Sequence, residues 1–153
     1  MTFKRAVLGC SLAVLLGAAS AGAQGERIRV ATPKISTPCD EATRVAFIDV
    51  VRVKFAAVDP TPARAYTLSP ALIQLRRFLE DGRRTPTLAC VIDIAVSDER
   101  GVLIATVRGS TKALNASPRQ ALEGAADAAL RKLGPVLVAD GQGSQARKPI
   151  AKN

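Results

Sequence analysis

The chain has 153 residues, with 22 lysines and arginines against 13 acidic residues, no histidine, no tryptophan and three cysteines. This length fits one domain with a substantial core. The absence of histidine excludes a Ser-His-Asp triad and a histidine-ligated metal, and three cysteines exclude a zinc site of four thiolates. We therefore expect no cofactor, no metal and no catalytic residue that the sequence can name.

The N-terminal segment has the three parts of a secretory signal peptide. Lys4 and Arg5 precede an uncharged, mostly apolar run over residues 6–19, and a small-residue cleavage site ends at Ala23. The run is shorter than the roughly 20 apolar residues of a transmembrane helix. We predict that residues 1–23 are removed, that the mature chain begins at Gln24, and that the protein is periplasmic or secreted without a transmembrane segment.

The three cysteines fall into two groups. Cys10 follows Val7-Leu8-Gly9 in a pattern that resembles a lipobox, but too few apolar residues precede it, so we expect it to leave with the signal peptide. Cys39 and Cys90 remain, and an even number in an exported chain predicts one disulfide between them. Two free buried thiols are the alternative.

We predict a single α+β domain over residues 24–140 and a disordered basic tail over residues 141–153. The tail contains Arg147, Lys148 and Lys152 and no acidic residue, and its only large apolar residue is Ile150. Such a composition cannot bury enough apolar surface to order itself.

After a short strand over residues 27–31, the next element has two interpretations. Thr37 and Pro38, followed by acidic residues, are typical of a helix start. The β-branched residues between Val45 and Val58 favour a strand instead. We expect a helix over residues 38–58 and keep the strand as the alternative.

The segment from Tyr66 to Arg84 has a helical interpretation, but Asp81-Gly82 is also a strong hairpin signal. A two-residue turn would pair Leu79 with Arg84 and Leu75 with Leu88, and it separates apolar from polar side chains cleanly, as register selection requires. We therefore predict a hairpin over residues 72–96. Its apolar face would contain Ala71, Ile73, Leu75, Leu79, Leu88, Cys90, Ile92 and Ile94.

A third strand is expected over residues 102–108, after a four-residue loop that pairs Ser97 with Val102. This register places Leu103, Ala105, Val107 and Gly109 on the apolar face. The clearest helix follows over residues 118–133: Ser117 is its N-cap, Pro118 its first residue, and Gly134-Pro135 its end. The expected fold is thus α+β, with a strand and a helix, a three-stranded antiparallel meander and a C-terminal helix. Both helices would cover one sheet face.

This layout resembles a known type of small envelope module. The segment Ala65-Tyr66-Thr67-Leu68, the hairpin, the third strand and the helix around Leu122-Glu123-Gly124-Ala125-Ala126 are similar in order to the α/β module of the curli-secretion lipoprotein and to the N-terminal domain of the TolB type. The resemblance covers residues 26–134. It implies a role in envelope assembly or secretion as a binding partner, and it transfers no functional residue. The lipid anchor of the curli protein is not expected here.

Carboxylates are the only candidates for catalysis. Asp49 and Asp93 lie within apolar runs, where burial can raise a carboxyl pKa. Asp93 is expected opposite Thr106 and diagonal to Arg108, as an ordinary cross-strand partner. Asp49 has no carboxylate partner, so no acid–base pair is predicted.

Basic residues are the remaining signal. We predict that Arg76, Arg108 and Lys112 share the open sheet face with Phe78, and that Arg83 and Arg84 lie at the hairpin end. Together these cations form a candidate surface for an envelope protein or another anionic envelope component. A merely solubilising charged face is the alternative. Nucleic acid is not expected, because few aromatic residues are available for stacking.

The sequence therefore favours an exported, non-enzymatic accessory or assembly protein of the cell envelope that acts by binding. A small periplasmic hydrolase that uses carboxylates, and a secreted inhibitor-like module, are the alternatives. Two converging carboxylates in a pocket would favour the hydrolase, and a long presented loop would favour the inhibitor. An open sheet face or a free edge would favour the binding protein.

Overall fold

The computed structural model describes residues 28–58, 65–82 and 84–145. It contains five strands and two helices and confirms the α+β class. The predicted signal peptide, the predicted N-terminus at Gln24 and the tail cations Arg147, Lys148 and Lys152 lie outside the described residues. The elements are β1 (Ile28–Val30), β2 (Lys34–Ile35), α1 (Glu41–Phe55), β3 (Tyr66–Phe78), β4 (Thr87–Asp98), β5 (Leu103–Leu114) and α2 (Pro118–Gln145).

The strands form one sheet in the order β1-β3-β4-β5, and β2 also lies beside β3. The short strands β1 and β2 run parallel to β3, whereas β3, β4 and β5 form the predicted antiparallel meander. Both helices pack on one face, which we call the closed face, and contribute to a single apolar core with the strands. The other side of the sheet is the open face.

The segment after β2 is a helix, and the strand alternative is wrong. Its N-cap is Asp40, three residues after the predicted Thr37, and the Asp40 carboxylate accepts the backbone N–H of Thr43 at 2.7 Å. The later start follows from the sheet, because the N–H of Ser36 still donates to the carbonyl of Leu72. The buried residues Phe47, Val50, Val51 and Phe55 recur at helical spacing, and their burial outweighs the β preference of the valines.

Helix α2 begins at Pro118 as predicted, with Ser117 and Gln120 bonded to each other, but it does not stop at residue 133. It continues through Pro135 to Gln145, which makes residues 141–145 helical rather than part of a disordered tail. An internal proline costs a helix about 3 kcal/mol. Two tertiary contacts offset this cost: Leu137 is buried in the core, and the hydroxyl of Tyr66 donates to Asp140 at 2.9 Å. Neither helix of the described residues is long and apolar enough to cross a membrane.

The hairpin of β3 and β4 is confirmed, but its predicted register is wrong. Leu75 pairs with Cys90 instead of Leu88, and the last pair joins Phe78 to Thr87. The connection is therefore longer than the two residues that Asp81-Gly82 suggested. Proline cannot extend the ladder as a donor, and Pro86 instead lies in the connection, where its carbonyl accepts the N–H of Asn115. A shift by two residues keeps each side chain on its face, so alternation alone could not detect it.

A bulge at Ile73 changes which residues of β3 face the helices. Leu72 pairs with Ile92 and Gln74 with Val91, so Ile73 has no partner in β4. One extra residue in β3 moves the side chains that precede it in the strand to the opposite face of the sheet. Leu68, Pro70 and Leu72 are consequently buried, whereas the predicted Ala71 and Ile73 are not.

A second irregularity between Val96 and Ser97 acts similarly at the start of β5, since Ser97 pairs with Leu103 rather than Val102. Leu103 is exposed and Ile104 packs on the core instead, against the prediction. Val107 and Gly109 do lie on the closed face. A Cβ at Gly109 would lie 2.0 Å from the carbonyl oxygen of Ala125, so glycine here lets α2 approach the sheet.

The predicted disulfide is not formed, because Cys39 and Cys90 are both free. Cys90 is completely buried among the apolar residues of the closed face, where burial raises the pKa of its thiol to about 12. Cys39 is half-buried and directly precedes the N-cap of α1. Each thiol is thus accommodated separately, Cys90 as a small apolar core group.

Candidate functional site on the open sheet face

The open face gathers cations from two strands that flank β4. Arg76 on β3 and Lys112 on β5 are both direct neighbours of Ala89 on the central strand. Cross-strand neighbours share a face of the sheet, so the two cations project from the same side, with only a small side chain between them. The predicted convergence of Arg76 and Lys112 is therefore present, and the register that produces it differs from the predicted one.

Phe78 lies between these two cations. The guanidinium carbon of Arg76 is 5.2 Å from the centre of the Phe78 ring, and Nζ of Lys112 is 5.8 Å from it. Both distances fit cation–π contacts, which hold a cation over an aromatic ring without neutralising it. Neither cation forms an ion pair with another of the described residues. We call these three residues the Arg76–Phe78–Lys112 cluster.

The cluster borders a shallow groove of about 420 Å³. Polar but uncharged groups continue the groove along the strands, since Gln74 and Ser110 are the neighbours of Val91 in the next row. Lining residues include Gln74, Arg76, Phe78, Ala89, Val91, Ser110 and Lys112. No carboxylate is among its lining residues, so no negative charge in the lining would repel a bound anion.

Arg108 lies on the open face as predicted but is engaged. It is the direct partner of Asp93, and its Nε and Nη2 donate to the two oxygens of that carboxylate, each at 2.7 Å. The Arg108 guanidinium holds the pKa of Asp93 below its usual value, and the carboxylate raises the pKa of Arg108. A bidentate pair of this kind satisfies both partners. Arg108 is therefore not a free cation for an external partner.

Two predicted cations remain, Arg83 and Arg84, and the structure describes only the second. Arg84 is exposed in the connection between β3 and β4, and Arg83 lies outside the described residues. Arg77, which the prediction left out of the surface, pairs with the closed-face residue Leu88 and thus projects to the other side. The cations of the cluster are thus Arg76 and Lys112, and Arg84 is an exposed cation of the connection that follows β3.

The hydroxyl of Thr87, which the sequence did not single out, lies on the strand next to Phe78 of the cluster. Thr87 is the neighbour of Phe78 and of Leu114, and its hydroxyl is buried without a hydrogen-bond partner among the described residues. An unsatisfied buried hydroxyl is unusual in a folded protein. No sequence signal identifies it, because its burial follows from the register and from the side chains that cover it.

The candidate carboxylates Asp49 and Asp93 of the described residues do not form a catalytic pair. Asp49 accepts from Arg52 at 2.7 Å and from Arg119 at 2.9 Å, and these hydrogen bonds lower its pKa, as Arg108 does for Asp93. A general acid requires the opposite, a raised pKa. Within the described residues there is also no group of three or more acidic or cysteine side chains that could hold a metal ion.

No family model and no curated protein matches the chain. Among solved structures, it is similar to a candidate lipoprotein from Caulobacter crescentus CB15, with 19% identity, a TM-score of 0.45, and coverage of 77% of this chain and 92% of that one. A minor lipoprotein from Acinetobacter baumannii has 11% identity, a TM-score of 0.40 and coverage of 72% and 94%. A hypothetical protein from Chlamydia trachomatis has 11% identity, a TM-score of 0.41 and coverage of 76% and 95%.

At these identities and TM-scores the similarity carries no argument about function. Two of the three solved structures are described as lipoproteins and the third as a hypothetical protein. The narrower resemblance to the curli-secretion and TolB modules stays a prediction.

Proposed function

We propose that this protein is an exported accessory protein of the cell envelope that acts by binding an anionic partner on its open sheet face, without catalysing a reaction. The observation that carries the proposal is the Arg76–Phe78–Lys112 cluster. Its two cations are held within 6 Å of one ring and have no acidic partner in the described structure.

The contrast with the ion-paired arginines supports this choice. Arg108, Arg119 and Arg52 all donate to carboxylates of this chain, so their charges are largely compensated internally. Arg76 and Lys112 instead rest on an aromatic ring, which orders their side chains and leaves their charges available. Cations that are ordered before binding lose less conformational entropy when a partner arrives.

The N-terminal sequence supports export. A basic start, an apolar run and a small-residue site ending at Ala23 are the features that a secretory signal peptide requires. The intact mass of the exported product tests this directly: it should begin at Gln24. A product that retained Cys10 with a lipid attached would contradict the assignment.

Binding can be tested by retention on phosphocellulose, eluted with a salt gradient at pH 7. Changing both Arg76 and Lys112 to Glu should move elution to clearly lower salt. The matched control changes Arg77 and Arg131 to Glu, two exposed cations outside the cluster, and therefore alters the net charge equally. If net charge alone governs retention, the two double variants will elute together, and the proposal is wrong.

A further inference from the structure

We infer that the anionic partner is a phospholipid bilayer, which the hairpin end of the sheet contacts with inserted leucines. This inference rests on the proposed function and names the partner class of the same surface. By the hairpin end we mean the described part of the connection, residues 79–82 and 84–86, together with the last paired row of the meander, Phe78, Thr87 and Leu114.

Exposed apolar side chains lie at this end. Leu79 follows Phe78 directly and is 63% exposed, and Leu114 on β5 is 52% exposed. Phe78 and Leu114 are neighbours of the same residue, Thr87, so the apolar groups of β3 and β5 project from one end of the sheet. Transfer of large apolar side chains from water into an apolar environment is favourable, so exposed leucines of this kind are typical of an interaction surface.

Cations lie near these apolar groups. Arg76 and Lys112 on the open face and Arg84 in the connection outnumber Glu80 and Asp81. An excess of cations beside exposed leucines is the combination that binds the surface of an anionic membrane, because lipid phosphates attract the cations while acyl chains receive the leucines.

The turn between β4 and β5, at the other end of the meander, allows the effect of charge to be compared at similar apolar exposure. Val102 and Leu103 there are 55% and 59% exposed, which is similar to Leu79 and Leu114. The charges, however, are reversed in sign, since Asp98 and Glu99 outnumber Arg100. An anionic bilayer would repel this turn and attract the hairpin end, so the two ends differ in charge rather than in apolar exposure.

The spacing along the strands fits such an orientation. Arg76 and Lys112 each lie two residues before Phe78 and Leu114 along their strands, which corresponds to about 7 Å. Amphipathic helices that bind at a membrane surface bury their apolar face about 5–10 Å into the boundary between headgroups and acyl chains, and we expect a similar depth for these leucines. Leucines at the tip can therefore be inserted while the cluster stays level with the phosphates.

The chain contains no tryptophan, so one introduced residue reports on its own position. We would compare Leu79→Trp with Leu103→Trp as full-length proteins, with vesicles of phosphatidylglycerol and phosphatidylcholine and with vesicles of phosphatidylcholine alone. The fluorescence of Leu79→Trp should shift to the blue and be quenched by brominated acyl chains only with the anionic vesicles. The fluorescence of Leu103→Trp should not respond. Both variants share the same N-terminal segment, so contacts made by that segment affect both alike.

A second tryptophan variant tests whether the result depends on position 79 alone. Leu114→Trp should behave as Leu79→Trp does, and adding Arg76→Glu and Lys112→Glu to either should reduce vesicle binding at least about tenfold. A blue shift at position 103 equal to that at position 79, or none at positions 79 and 114, overturns the inference. In the latter case, retention on phosphocellulose that still depends on Arg76 and Lys112 would leave the proposed function standing and point to a soluble acidic partner. Loss of both effects would reject the two proposals together.

Discussion

The same strands form both faces of the sheet, but the side chains of the two faces differ in what they contact. On the closed face, close packing determines each residue: Gly109 has no side chain because α2 lies against it, and Cys90 is enclosed. On the open face, Arg108 and Asp93 satisfy each other, whereas Arg76 and Lys112 share a ring and meet no acid. Packing explains Gly109 and Cys90, whereas no acidic partner in the described structure explains the cations of the cluster. Function is therefore sought on the open face.

The closed face should be much the more sensitive to substitution. Gly109→Ala places a Cβ 2.0 Å from the Ala125 carbonyl oxygen and 2.5 Å from the Ala129 nitrogen, both backbone atoms that cannot move aside locally. We expect the free energy of unfolding in urea to fall by about 3 kcal/mol, the upper end of the usual cost of overpacking.

Gly141→Ala is the control for this change. Nothing lies within 4 Å of a Cβ at Gly141, which is also in α2. Alanine favours a helix over glycine by up to about 1 kcal/mol, so this variant should be as stable as the natural chain or slightly more so. Equal stability of the two variants would show that α2 does not pack on β5 as closely as the structure has it.

On the open face, the Asp93–Arg108 pair should contribute far less. Most of the Arg108 side chain is exposed to solvent, which screens the pair, so Asp93→Asn should lower stability at pH 7 by at most about 1 kcal/mol. The folded pKa of Asp93 is depressed, so this contribution is present above the unfolded value of about 3.9 and is lost as the pH falls through the lower folded pKa.

The measurement is a pair of urea titrations, for the natural chain and Asp93→Asn, repeated between pH 7 and pH 2.5. The difference in stability should be constant down to about pH 5 and should shrink below pH 4. A difference that grew on acidification would mean that the Asp93 carboxylate is destabilised by folding, in disagreement with its two short hydrogen bonds.

The sequence predicted the elements well and their mutual register poorly. A start signal identified the first helix, helical spacing and end signals identified the second, and alternation identified the meander. The bulge at Ile73 and the irregularity near Ser97 leave no comparable signal. Each adds one residue to a strand, which reverses the face that the neighbouring side chains occupy. Leu72 and Ile104 therefore pack in the core, and the predicted Ile73 and Leu103 do not.

Similar reasons explain how much of the candidate site was predictable. Arg76, Lys112 and Phe78 were placed on one face because a register error of two residues preserves faces. Alternation does not determine which residues pair directly. It could not predict that Asp93 binds Arg108, or that Arg76 and Lys112 have no acidic partner. The extension of α2 beyond Pro135 was missed because tertiary contacts of Leu137 and Asp140 override a local stop signal.

The central claim, that the open face is the binding face, can be tested by mapping backbone amide shifts in NMR spectra while inositol hexakisphosphate, a compact polyanion, is added. We predict that the largest shifts fall on the three strand segments around the cluster, residues 74–78, 87–91 and 110–114, and weaken in high salt. Shifts scattered over all exposed lysines and arginines, or centred on the helices of the closed face, would contradict the account.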